Sequence, residues 1–227
     1  MEFGQFCPIA KSWEIIGEKW TILIVREILM GSSRFNQLQR GLGSISPTIL
    51  TRRLNDLEKN GMIYKKKIQG GRGFEYFPTQ SCQELQPTLN IIGQWGMRWA
   101  HDNLSTKDYN VELLMLYLQR SINPDMLPNT ETVIRFKFND MDEQGKWWLV
   151  VKNGLVDICD RDPGKDVDIY FTTGVKTMTE VWLGKTSYRK AIADDEISII
   201  GPTSLTKEIT KWMSNSVFAD LPSAEGI

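Results

Sequence analysis

Apolar positions recur at helical spacing through most of the first hundred residues and at strand-like alternation in much of the remainder. Ile9, Trp13 and Ile16 stand at i, i+4 and i+7 behind Pro8, which predicts a first helix closed by Gly17. Residues 19–30 are apolar on several sides, at Trp20, Ile22, Leu23, Ile24, Val25, Ile28 and Leu29, and predict a buried second helix. After the turn Gly31-Ser32-Ser33, residues 34–40 supply one short helix with Phe35 and Leu38 inward. Ser46-Pro47 sets a capping hydroxyl before a proline at the first helical position, so a further helix should run to Asn60 and stop at Gly61.

From Met62 the period changes to two. Residues 62–68 and 74–77 are β-rich runs around Gln69-Gly70-Gly71-Arg72-Gly73, a hairpin with a flexible tip. Ser81-x-x-Glu84 has capping-box spacing and predicts a helix that carries Leu85, Leu89, Ile92 and Trp99 as one seam, with Pro87 tolerated in its first turns. The polar stretch 103–110 is the expected linker between a first domain, 1–102, and a second, 111–227. The second opens with a helix over 111–122. Strands follow at 132–139, 146–152, 155–159 and 167–172, then a helix-rich stretch at 176–193, a strand at 196–200 and an amphipathic helix over 205–217. This pattern predicts an α+β fold, an antiparallel sheet with helices on one side.

Three helices followed by a hairpin form the layout of a winged helix-turn-helix, whose third helix enters the major groove. Residues 46–60 hold that place. At about 100° per residue, Leu50, Leu54, Leu57 and Arg53 share one side of this helix. Thr48, Thr51, Arg52 and Asn55 share the other, and those are side chains that hydrogen-bond base edges or phosphates. Lys65, Lys66 and Lys67 on the hairpin and Arg72 at its tip add positive charge beside that face, placed for backbone or minor-groove contact. An ordinary solvated face is the alternative for the lysines. The net charge of −1 conceals an asymmetry in the same sense: residues 1–101 hold 13 Lys and Arg against 8 Asp and Glu, and residues 102–227 hold 14 against 20.

Composition narrows the remaining classes. At 41% hydrophobic and 24% charged residues the chain is a folded protein rather than a disordered one. It has neither a membrane-length apolar run nor a signal-peptide start, so a cytoplasmic location is expected. Three cysteines, Cys7, Cys82 and Cys159, imply no disulfide framework, and the single histidine, His101, argues against a Ser-His-Asp hydrolase or a multi-histidine metal site. Gly184-Lys185-Thr186 lacks the earlier glycine of a P-loop, and Asp160-x-Asp162 departs from calcium-loop spacing. No nucleophile is set with a base, so no enzyme, cofactor or metal is expected.

Cys7-Pro8-Ile9, Gly17-x-Lys19-Trp20-Thr21, Arg34-Phe35-x-x-Leu38, Ile45-Ser46-Pro47-x-x-Leu50-Thr51-x-Arg53-Leu54-x-x-Leu57-Glu58-x-x-Gly61 and Trp95-Gly96 together resemble the HxlR-type transcriptional regulators of bacteria, over roughly residues 6–100. The resemblance implies a winged-helix homodimer on a pseudopalindromic operator, paired mainly through terminal helices. Arg34, Ser46, Thr48, Thr51, Arg52, Asn55, Lys65, Lys66, Lys67 and Arg72 are then the DNA-facing candidates. The seam Leu85, Leu89, Ile92 and Trp99 becomes a dimer interface, with intramolecular core as its alternative. Some relatives sense oxidants through the cysteine matching Cys7, which makes it a redox-sensor candidate beside a purely structural role.

In the second half, Gly145-Lys146-Trp147-Trp148-Leu149-Val150, Val167-Asp168-Ile169-Tyr170-Phe171, Trp182-Leu183-Gly184-Lys185 and Ile197-Ser198-Ile199-Ile200-Gly201 resemble the sterol carrier protein 2 domain in order and in a few spaced residues. That resemblance implies an apolar tunnel between sheet and helices for a hydrophobic effector. Phe136, Phe138, Trp148, Trp182 and Trp212 are candidates to line it, against plain core packing. The expected partners are double-stranded DNA, a second copy of the chain and such an effector. A lipid carrier whose winged helix only mediates protein contacts is the rival.

Overall fold

In the computed structural model, which describes residues 2–100, 104–128, 130–141 and 145–221, the helical spacing of the first half resolves into α1 (Pro8–Ile16), α2 (Thr21–Leu29), α3 (Phe35–Leu42) and α4 (Pro47–Lys59). Ser46 caps α4, its hydroxyl accepting from the Ile49 amide at 3.3 Å, and Pro47 needs no partner at the first position. The helix ends where Gly61 takes a left-handed φ of 69°, which turns the Met62 amide back onto the Leu57 carbonyl at 2.9 Å. A hairpin follows, β1 (Ile63–Lys67) against β2 (Phe74–Pro78), antiparallel, with Lys65 opposite Tyr76 and Lys67 opposite Phe74.

Ile24, Val25, Ile28, Leu38, Leu50, Leu54, Leu57, Ile63 and Cys82 close one core between α2, α3, α4 and the hairpin base. A fully buried aliphatic side chain contributes roughly 1.5–3 kcal/mol over an exposed one, so this cluster decides which side of α4 turns inward. Two buried charged groups fix the packing further. Glu27 on α2 is fully buried and accepts from Arg26 at 2.9 Å and from the Ser32 hydroxyl at 3.3 Å. Arg53 on α4 donates to Glu18 at 2.7 Å, to Asp56 at 3.1 Å and to the Lys19 carbonyl at 3.2 Å.

The capping box expected at Ser81 and Glu84 does not form. The Ser81 hydroxyl reaches the Gly61 carbonyl at 3.3 Å, and Glu84 accepts from Gln80 at 2.9 Å. A one-turn helix, α5 (Gln80–Gln83), ends there, and α6 (Gln86–Trp99) starts afresh with Pro87 in its second position, where a missing amide costs nothing.

The chain divides into two compact units, Met1–Gly93 and Gln94–Ile227, a division that falls inside α6. Of the polar stretch 103–110, residue 103 lies outside the described residues, as does His101. Tyr109 packs on the core of the second unit, and Asn110 caps α7 (Val111–Ser121) by accepting from the Leu113 amide at 2.9 Å.

The second unit is a five-stranded sheet with helices on one side. Its strands are β3 (Glu131–Phe138), β4 (Lys146–Lys152), β5 (Leu155–Cys159), β6 (Ile169–Thr173) and β7 (Ile197–Ile200), in the order β5-β4-β3-β6-β7. Three of the pairings are antiparallel, and β3 with β6 is parallel. The chain leaves β5 at one edge and returns beyond β3, where Asp168 secures the crossover: its amide donates to the Val133 carbonyl at 2.9 Å and its carboxylate accepts from the Val133 amide at 2.8 Å. The stretch 176–193 forms two helices, α8 (Val175–Trp182) and α9 (Tyr188–Ala193).

The single helix expected over 205–217 is instead two short pieces, α10 (Thr203–Thr206) and α11 (Ile209–Trp212). Backbone pairing overrides helical propensity there: Met213 bridges Ile122, and the Trp212 carbonyl accepts from the Asn123 amide at 2.7 Å. Replacing Arg53 by Ala removes three inward hydrogen bonds while Glu18 and Asp56 stay within reach of water. Stability should fall by about 1–3 kcal/mol, read as a lower urea midpoint with unchanged slope.

Candidate nucleic-acid interface

With Leu50, Arg53, Leu54 and Leu57 buried, helical geometry leaves Thr48, Thr51, Arg52 and Asn55 on the opposite side of α4. All four are exposed and, with Pro47 and Asp56, line one open concavity. Their chemistry is not uniform. The Thr51 hydroxyl donates to the Pro47 carbonyl at 2.9 Å, so it presents its lone pairs and methyl outward. Ser46 spends its acceptor on the helix cap and retains a hydroxyl donor at the helix start. Arg52 makes no ion pair among the described residues, in contrast to its neighbour Arg53.

The hairpin does not present its cations as one cluster. Side chains alternate along a strand, so Lys65 and Lys67 lie on one face and Lys66 on the other. Lys65 is drawn back to α4 and bonds Glu58 at 2.6 Å, which holds its ammonium protonated above the usual lysine range. Lys66 sits 5.5 Å from the Tyr64 ring centroid and 5.3 Å from that of Phe77, rings that stack on each other at 5.5 Å. Arg34, at the start of α3, pairs with Glu75 of β2 at 3.2 Å. Lys67, and Arg72 at the hairpin tip, are exposed and make no ion pair among the described residues. Of the expected cations, Lys66, Lys67, Arg52 and Arg72 pair with no carboxylate among the described residues, whereas Lys65 and Arg34 each hold one.

The seam on α6 splits. Leu85 and Leu89 are half-buried against the core of the first unit, whereas Ile92 and Trp99 are 42% and 55% exposed. Ile91 and Trp95 are more exposed still, and so are Phe6 and Ile9 at the amino-terminal end. Ile91, Trp95 and Ile9 were legible only as apolar residues, because a four-position seam assigns one stripe to a helix that is apolar on more than one side.

Cys7 is half-buried ahead of Pro8, and its side chain makes no cap to α1. All three cysteines are free. Burial pushes the Cys82 thiol up to about 11 and raises Cys159 as well, where the neighbouring Asp157 and Asp160 add to the effect.

The five aromatic candidates of the second unit do not share one space. Phe136 and Phe138 stack at 6.1 Å, Phe136 meets Phe171 at 4.7 Å, and Trp212 meets Phe171 edge-on at 6.4 Å, all on the helix-covered face. Trp182 stacks on Tyr117 at 4.6 Å. Trp148 lies on the opposite face with Val133 and Val150, because it is one residue out of step with Leu149 and Val151. It cannot line a tunnel beneath the helices. Among the described residues no helix is long and apolar enough to cross a membrane.

Residues 15–104 match the HxlR-like helix-turn-helix family. The helix-turn-helix-type transcriptional regulator YvaP of Bacillus subtilis is 32% identical over 101 residues, 44% of this chain and 94% of that protein. The chain belongs to the HxlR-like helix-turn-helix family. A helix-turn-helix-type transcriptional regulator of Synechocystis is 34% identical over 99 residues, 43% of this chain and 73% of its own length. The second part of this HxlR-family transcriptional regulator matches another family: residues 103–218 match the alkyl sulfatase C-terminal family rather than the expected sterol carrier protein 2 domain. A solved structure of a double mutant of the sec-alkyl sulfatase PisA1 is similar over 47% of this chain and 16% of that one, at 13% identity and a TM-score of 0.40.

With its thiol at about 11, Cys82 is ionised in only about one molecule in a thousand at pH 8. In the folded protein a thiol-reactive disulfide reagent at that pH should label Cys7 or Cys159 and leave Cys82 unmodified until denaturant is added. Peptide mass spectrometry reads the difference.

Proposed function

We propose that this HxlR-family regulator binds operator DNA as a homodimer, with α4 in the major groove and the hairpin against the flanking backbone, and that its second unit is a sensor. The observation that carries the reading is the outward row Thr48, Thr51, Arg52 and Asn55, exposed together on a helix whose other side is locked into the core. Arg52 and Asn55 can make paired hydrogen bonds to guanine and adenine edges, and Thr48 and Thr51 can meet phosphates or a thymine methyl. Lys66, Lys67 and Arg72 then supply the sequence-independent attraction, and Ser46 a hydroxyl donor beside the helix start. Two copies would read half-sites about 34 Å apart.

The exposed apolar side chains Ile91, Ile92, Trp95 and Trp99 of α6, and Ile9 and Trp13 of α1, are the surface assigned to the second copy. The sterol carrier protein 2 resemblance supports a hydrophobic effector for the second unit. Its sensor role is regulatory rather than catalytic, in the cytoplasm where the operator is.

Arg52→Ala should remove at least about 1–3 kcal/mol of operator preference and leave binding to random duplex nearly unchanged. Lys66→Ala should weaken both duplexes alike and flatten the dependence of affinity on salt. Fluorescence anisotropy at several salt concentrations separates the two, and equal losses on both duplexes for Arg52→Ala would sink the division of labour. For the dimer, Ile92→Glu should shift the sedimentation profile toward the monomer mass; a profile identical to that of the unaltered chain would remove α6 from the interface.

A further inference from the structure

The outer face of the second unit's sheet, the one without helices, carries a transverse row of unusual composition. Strand register places Cys159, Trp148, Arg135, Tyr170 and Ile200 as successive partners across all five strands. Directly opposed side chains on adjacent strands have Cβ atoms about 4.5–5.5 Å apart, so Trp148 and Arg135 are immediate neighbours. The Arg135 guanidinium lies 5.6 Å from the Tyr170 ring centroid.

Two polar atoms in this row are buried with no partner. Trp148 is 5% exposed, and neither its indole nitrogen nor the Nε of Arg135 meets an acceptor. Trp212, also buried, donates to the Leu205 carbonyl at 2.9 Å, and the half-buried Trp182 donates to the Ser121 hydroxyl at 2.8 Å. A buried donor left unmade costs about 1–3 kcal/mol, so two side by side mark a place where something else completes them.

Both orphaned groups are donors only. Whatever completes them must bring acceptors. The charge around them points the same way: Lys137 and Lys146, partners of each other in the next row on the same face, are both exposed cations. On the other side the adjoining row carries two acids of the same face: Asp168 beside Val133, whose carboxylate accepts from the Val133 amide at 2.8 Å, and the exposed Asp157 opposite Val150; Glu131, one row further out, is held by Lys152 at 3.3 Å and by Lys165. The floor beside the indole is apolar, made of Val133 and Val150 with Cys159 and Val167 against them.

We propose that this row is a binding site for a small organic oxyanion, a carboxylate or its equivalent carried on an apolar body. Arg135 and the Trp148 N–H hold the acid group, Tyr170 flanks the guanidinium, and Val133 and Val150 receive the body. The site is separate from the helix-covered interior and does not depend on how, or whether, occupancy alters DNA binding.

The test is isothermal titration of the full chain with decanoate, and with decanol as an uncharged control, in the unaltered protein, Arg135→Gln and Trp148→Phe. Trp148→Phe keeps an aromatic ring and deletes only the donor. Decanoate should bind the unaltered protein more tightly than decanol. Each substitution should weaken decanoate by about tenfold or more and leave decanol nearly unchanged, with circular dichroism confirming that both variants fold. If one variant fails to fold, the other decides. No decanoate binding by the unaltered protein, or equal decanoate affinity in a folded variant, overturns the proposal. DNA is absent from the titration, so failure here leaves the operator-binding reading untouched.

Discussion

The azimuth of α4 is the constraint on which the first unit depends. Leu50, Leu54 and Leu57 bury one side of the helix, and Arg53 locks its rotation by reaching Glu18, Asp56 and the Lys19 carbonyl. Arg52 and Arg53 are adjacent in sequence and about 100° apart on the helix, and that angle alone gives two chemically identical groups opposite fates. The inward one is met by Glu18 and the Lys19 carbonyl from the segment between α1 and α2 and by Asp56 one turn on. The outward one keeps its donors, together with those of Asn55. A rotation by one residue would exchange them, part Arg53 from Glu18 and turn the leucines toward solvent, so the polar row is fixed by the same contacts that stabilise the core.

Much of this was legible in the sequence, because amphipathic period is a statement about burial. The helix boundaries at Ser46-Pro47 and Gly61, the polar and apolar sides of α4, the hairpin and the strands over 146–152 and 155–159 all follow from local chemistry. What local chemistry could not supply was the partner at a distance. Lys65 reads as one of three equal lysines until Glu58 is found across from it, and Arg34 reads as free until the wing brings Glu75 to it. Ser81 and Glu84 have capping-box spacing, but the chain before them delivers the Gly61 carbonyl to the serine first. The parallel pairing of β3 with β6 involves strands distant in sequence, and the helical stretch stops at Trp212, short of 217, where the chain pairs with Ile122 and Asn123, some ninety residues earlier.

The second unit shows the same limit in two dimensions. The phenylalanines of β3 stack under the helices as their period requires, but Trp148 of β4, expected beside them, faces the other way. Trp147 and Trp148 cannot be told apart by residue type, yet they face opposite ways, Trp147 toward the helix-covered core and Trp148 outward. The face without helices would ordinarily be polar. Here it holds a buried tryptophan and two buried valines, so this side of the sheet differs from a merely solvated one.

A last constraint concerns α6. It is fourteen residues long, and none of its side chains is buried within one copy of the chain. An isolated helix of that length is marginal in water, and helices in folded proteins draw most of their stability from a packed apolar face. Leu85 and Leu89 anchor only its beginning. Beyond them Ile91, Ile92, Trp95 and Trp99 carry large apolar surfaces at 42–65% exposure, and aromatic side chains of this size bury about 150–250 Å² each when covered. At about 25 cal/mol per Å², covering what remains exposed of two such rings contributes several kcal/mol, of the same order as the entropy of holding the helix's last turn in place. A second copy covering these side chains would therefore add, beside a second DNA-reading helix, packing that stabilises the later turns of α6.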